Sequence, residues 1–161
     1  MRALPFVALL SVLLLCSWGP PADARASEVG IEDAYVRAVP PGQRVTAAFF
    51  VAVNHGNTPH AIVAAESDAA EHTELHEHVH DQGVMRMREV ERVEIPAAGR
   101  VAFQPGGYHI MLIGLKRALK PGDRIHLTLV LEDGTRIDLE PEVRPIEPHD
   151  AARDGHHGMK H

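Results

Sequence analysis

The segment RIHLTLVLEDGTRIDL, Arg124 to Leu139, decides the fold. Leu127, Leu129 and Leu131 recur at every second position, and beyond Asp133-Gly134 so do Ile137 and Leu139. A period of two is the period of a strand, and Asp-Gly between two such runs predicts a tight hairpin turn with positive φ at both central residues. The same grammar extends in both directions. Candidate strands run over Ala34 to Val39, Val45 to Val53, Ala61 to Ala65, Thr73 to Val79, Met85 to Val90, Arg100 to Gln104, His109 to Ile113, Arg124 to Leu131 and Thr135 to Leu139. Between them lie turn formers such as Pro40-Pro41-Gly42, Asp81-Gln82-Gly83, Pro105-Gly106-Gly107 and Pro121-Gly122-Asp123. Many short strands without a helical stripe predict an all-β antiparallel sandwich or barrel. From Pro141 onward the pattern dissolves into a polar stretch expected to be flexible.

Composition bounds the function. The chain has 161 residues, 45% hydrophobic, enough for one domain with a real core. A net charge of -6 and 4% aromatics offer no basic face to nucleic acid or to an anionic membrane. Residues 1–26 read as a secretory leader: Arg2, an apolar run from Ala3 to Trp18, then Gly19-Pro20-Pro21 and the small-residue pairs Ala22-x-Ala24 and Ala24-x-Ala26. The run is shorter than the roughly 20 residues of a spanning helix, so no stable membrane span is expected in the mature, periplasmic chain. Lipid anchoring on Cys16 is the lesser alternative, because Leu15 stands where a small residue would be expected. Cys16 is the sole cysteine; its removal leaves no disulfide and no thiolate ligand. The expected organisation is a leader over 1–26, a β domain over 27–145 and a His/Met-rich tail over 146–161.

The segment LHEHVHDQGVMRM, Leu75 to Met87, carries the chemistry. Alternate strand residues share a face roughly 6.5–7 Å apart, so His76, His78 and His80 share one face and Met85 and Met87 share another or the same one. A two-residue turn at Asp81-Gln82 would set His76 across from Met87; a three-residue loop ending in a Gly83 bulge would slip the pairing by one. His109 and Met111 repeat the alternation. Apart from the initiator, every methionine lies near a histidine: Met85, Met87, Met111 and Met159. Core-filling methionine would be scattered. Thioether sulfur is soft and selects Cu(I), and imidazole suits copper and zinc, whereas Mg²⁺ or Ca²⁺ would ask for oxygen.

The spacing H-x10-M-x21-H-x-M, running His76, Met87, His109, Met111, resembles that of the periplasmic copper chaperones called PCu(A)C. Ala47-Ala48-Phe49-Phe50, Asn54, Glu74-Leu75-His76, Gly83-Val84-Met85-Arg86-Met87, Pro105 to Leu112 and Leu115-Lys116 are similar to that family as well, over roughly Ile31 to Val143. The resemblance implies a cupredoxin-like Greek-key barrel that binds Cu(I) through those four side chains. It also implies delivery to the CuA centre of a respiratory oxidase subunit, alongside Sco-like thioredoxin-fold partners. The family often has methionine after the first histidine, where this chain has Glu77.

Further ligands are expected around this set. His78 and His80 are either solvated or additional metal contacts, and Met85 is either core or an alternative ligand. His55, His60, His72 and His126 read as surface or satisfied core residues. Tyr108 and Phe103 read as core, with shielding of the site as the alternative. In the tail, His149, His156, His157, Met159 and His161 form a tract suited to a second ion, Cu(II) by resemblance, or to zinc or nickel scavenging. No hydrolase constellation or phosphate loop is present, and a cupredoxin electron carrier would need a thiolate. A non-enzymatic carrier is therefore expected, with a copper-dependent oxidoreductase and a purely structural β-sandwich module as alternatives.

Overall fold

The computed structural model describes residues 28–81 and 83–145. The expected leader and tail, with His149, His156, His157, Met159 and His161, lie outside the described residues. Among these there is no helix and there are eleven strands: β1 (Val29–Arg37), β2 (Val45–Asn54), β3 (His60–Ser67), β4 (His72–Asp81), β5 (Val84–Glu89), β6 (Val93–Ile95), β7 (Arg100–Phe103), β8 (Tyr108–Ile113), β9 (Leu127–Leu131), β10 (Arg136–Leu139) and β11 (Glu142–Arg144). They form two sheets. The larger runs β11-β1-β2-β7-β8-β4-β5, with β2 also pairing β8, and the smaller runs β10-β9-β3-β6.

The core fills the space between the sheets. Along β2 the even residues Ala48, Phe50 and Ala52 are buried there, with Thr46 and Asn54 at the ends. Phe50 stacks on Phe103 of β7, its ladder partner, with centroids 4.2 Å apart and planes 18° from parallel. Facing them, Leu127, Leu129 and Leu131 of β9, Ile62 of β3 and Ile95 of β6 are buried. Each such side chain contributes about 1.5–3 kcal/mol by leaving water. Asn54 ties the β2–β3 corner together: its amide donates to the Thr58 carbonyl at 2.7 Å and its Oδ1 accepts from Gly56 N–H at 2.9 Å.

Several sequence expectations need correction. Asp133 is not in the left-handed region; among the turn residues only Gly134 is, at φ +83°. Gly134 N–H donates to the Leu131 carbonyl and Leu131 N–H to the Thr135 carbonyl, both at 2.9 Å, so the loop has three residues and closes on a glycine bulge. The Asp133 carboxylate accepts from Thr135 N–H at 2.9 Å, which favours this turn over the two-residue one. The strand expected from Arg124 begins only at Leu127. The segment after Pro141 is not all tail: β11 pairs in parallel with β1, and Val143 is 0% exposed. One apolar residue flanked by Glu142 and Arg144 gives no detectable period, and neither do the three residues of β6.

The β4–β5 hairpin also takes a register other than the two foreseen. Asp81 pairs Val84 and His78 pairs Met87, and Gly83, between the two strands, has φ +81°. His76 stands across from Glu89 instead.

Two outcomes follow for the β9–β10 loop. A Cβ built on Gly134 meets nothing within 4 Å, so Gly134→Ala should cost about 1–2 kcal/mol from backbone conformation alone, measured by urea unfolding. The Thr135 N–H and hydroxyl hold the Asp133 carboxyl below its usual range. A depressed folded-state pKa stabilises above the unfolded value and is lost as pH falls through the folded one. The stability gap between the parent and Asp133→Ala should therefore shrink below about pH 4.

Candidate metal centre

The large sheet has a second face, turned away from the core. Leu75, Ile110 and Leu112 point inward and are buried, so their strand neighbours His76, His109 and Met111 point outward. Three adjacent strands then align the candidates. In the β4–β8 ladder His76 stands opposite His109 and Glu74 opposite Met111; in the β4–β5 ladder His78 stands opposite Met87 and His80 opposite Met85. Strands from three separate stretches of sequence thus place His76, Met87, His109 and Met111 on one face.

His109 sits at the centre and is only 2% exposed. Its Nδ1 donates to the Gly107 carbonyl at 3.0 Å, which leaves the lone pair on Nε2, 3.3 Å from Met87 Sδ. In that tautomer, assigned from the hydrogen bond, two lone-pair donors face each other. An ion about 2.0 Å from the nitrogen and about 2.3 Å from the sulfur would subtend about 100° between them, close to tetrahedral. His76 is prepared in the complementary way. Its Nε2 lies 2.8 Å from Glu74 Oε2, and its Nδ1 is buried without a hydrogen-bond partner among the described residues. The carboxylate accepts the hydrogen bond from Nε2–H and so leaves the lone pair on the other nitrogen, the usual arrangement behind a metal-bound histidine. The His76 and His109 ring centres are 5.8 Å apart. Met111 is half-buried one step along β8 from His109.

One wall of the centre escaped the sequence reading. Phe49, adjacent in sequence to the core residue Phe50, must face the opposite way, and its ring lies 6.3 Å from that of His109. Tyr35 packs 5.2 Å from Phe49, and the Arg37 guanidinium covers the same ring at 5.2 Å. A bulge in β1, with Asp33 at φ 52°, brings Tyr35 rather than Ala34 opposite Phe49. The adjacent pair Phe49-Phe50 was the signal, since neighbours in a strand serve two faces.

The remaining candidates separate cleanly. Met85 and His80 lie one step nearer the turn, beyond Glu77 and Tyr108, where the β4–β8 pairing ends. Tyr108 and Phe103 pack together on the core face, 5.9 Å apart, and do not shield the centre. Burial, then the Glu77 charge, pushes the Tyr108 hydroxyl above its ordinary pKa. Glu77 itself is held by Arg88 at 2.6 Å. His55, His72 and His126 are exposed, and His60 sits between Glu28 at 3.6 Å and Glu132 at 3.4 Å. Among the described residues no three His, Asp or Glu side chains converge as a ready-made oxygen and nitrogen cage. The donor set that does meet is mixed nitrogen and sulfur, the combination suited to copper.

Comparison with known proteins bears on the family and the fold. A family described as "Putative lipoprotein LpqE-like" matches residues 29–143. The "Putative lipoprotein Lxx21020" of Leifsonia xyli subsp. xyli is 35% identical over 164 residues, covering 98% of this chain and 96% of that protein. The solution structure of Cu(I)-bound DR1885 from Deinococcus radiodurans is 36% identical, with a TM-score of 0.62 over 76% of this chain and 83% of that one. A copper-bound PCuAC domain from PmoF2, at 20% identity, superposes with a TM-score of 0.63 over 74% of this chain and 95% of that domain, which shows the shared cupredoxin-like β fold. A β-sandwich whose outer face gathers histidine and methionine, matched along most of its length by these relatives, belongs to the LpqE-like family of PCuAC-type domains.

Proposed function

We propose that this protein is an exported copper carrier that binds Cu(I) through His76, Met87, His109 and Met111 and delivers it to the CuA centre of a respiratory oxidase, with a Sco-like protein as partner. The 3.3 Å approach of His109 Nε2 to Met87 Sδ carries the reading. Two donors of complementary softness meet there with no proton to share, beside a His76 nitrogen that has no other partner among the described residues. The copper-bound relatives support the cargo. Neutral imidazole binds through its lone pair and thioether carries no proton, so the ion binds without the proton release a thiolate site requires. The Phe49 ring, with the Arg37 guanidinium over it, walls the β2 side. Glu74 acts one step back, fixing the His76 tautomer. The family's description as lipoproteins, set beside a leader whose one cysteine is Cys16, supports lipid attachment there more than free release of the mature chain. The tail histidines with Met159 then serve as a tethered Cu(II) collector.

Anaerobic Cu(I) titration against a competing chelator tests the cargo and the ligands together. One ion per chain is expected, and Met87→Leu, Met111→Leu, His76→Gln and His109→Gln should each weaken it at least about tenfold. Unaltered affinity in all four variants would sink the assignment. Glu74→Leu should weaken Cu(I) by about 10–100-fold and move the His76 nitrogen NMR shifts toward a mixed-tautomer position; an unchanged His76 signal would dismiss the orienting role.

A further inference from the structure

The outer face holds one more imidazole than the four-ligand set uses. His78 stands directly across the β4–β5 ladder from Met87. Its ring centre is 5.0 Å from that of His109, nearer than the 5.8 Å of His76. Its Nδ1 is buried and has no hydrogen-bond partner among the described residues. A buried nitrogen without a partner carries a desolvation cost of about 1–3 kcal/mol, and here two of them, on His76 and His78, occur on neighbouring outward positions of one strand. Imidazole nitrogens about 2.0 Å from a shared ion place their ring centres at most roughly 6.3 Å apart. Both pairs fall inside that span.

We infer that His78 is a third imidazole donor of this centre, and that His76, His78 and His109 together hold Cu(II), while the two thioethers take over for Cu(I). The inference rests on the copper-carrier reading and deepens it. Cu(II) favours imidazole nitrogen in tetragonal geometry, whereas Cu(I) favours soft sulfur. One face with three nitrogens and two sulfurs therefore serves both oxidation states by exchanging part of its ligand set. The three rings do not converge on one point in the structure, so the Cu(II) set closes by side-chain rotation on fixed strands. Met87, 48% exposed on the edge strand β5, is the ligand placed to withdraw when it does.

The test uses the full-length chain with His149, His156, His157 and His161 replaced by Ser, so that the tail does not compete. Electron paramagnetic resonance of its Cu(II) form should count three coupled nitrogens. His78→Gln should lower Cu(II) affinity at least about tenfold and reduce the count to two, while Cu(I) affinity changes less than about threefold. A tenfold selective loss of Cu(II) raises the one-electron potential by about 59 mV. Met87→Leu should show the reverse preference, losing Cu(I) and keeping Cu(II). Two or fewer nitrogens in the parent spectrum, or an unchanged Cu(II) affinity in His78→Gln with Cu(I) binding intact, would overturn the role of His78 and leave the carrier reading standing. Absence of Cu(I) binding in the parent chain would overturn the carrier reading itself. The nitrogen count needs no variant at position 78, so a His78→Gln chain that does not fold still leaves a decisive measurement.

Discussion

Everything on the outer face depends on the pairing of β8, β4 and β5 in one fixed register. Because a strand sends alternate side chains to opposite faces, the same ladder that buries Leu75, Ile110 and Leu112 turns His76, His109 and Met111 outward. A slip of one residue would bury the imidazoles and expose the leucine. The hydrophobic core therefore selects the register, and the register assembles the donors.

Stability and chemistry are divided between the two faces. The inner face is close-packed and apolar, with the Phe50–Phe103 stack at its middle. The outer face keeps polar atoms without partners among the described residues, the Nδ1 atoms of His76 and His78, each at a cost of about 1–3 kcal/mol. Phe49, Tyr35 and Arg37 reduce the exposure of that face from the β2 side. A rigid sheet holding under-satisfied donors is the arrangement expected of a binding site formed before its ligand arrives.

Much of this was legible in the chain. All nine strands foreseen from period-two alternation occur, because each carries at least two apolar residues on one side. The strands that were missed, β6 and β11, are three residues long, too short for any period to show. The Asp133-Gly134 turn was located but mistyped, since the Asp133 hydrogen bond to Thr135 N–H decides between two loops the sequence permits equally. The metal-ligating candidates were legible as a shared face. Their order across the hairpin was not, because Asp81-Gln82-Gly83 accepts several registers, of which the β4–β5 ladder takes one that sets His78 against Met87. Glu74 as a partner of His76 needed the side-chain geometry at 2.8 Å.

The position of β5 at the rim of the sheet has a consequence for how an ion would come and go. Among the described residues its backbone is paired on the β4 side alone, and Val84 and Met87 are its large apolar side chains open to solvent, at 41% and 48%. His109, by contrast, is sealed. An incoming donor from another protein can reach the sulfur long before it reaches the imidazole. Exchange from such a centre would run in one order, opening at the rim and ending at the middle, so that the cargo is never without a ligand while it changes hands.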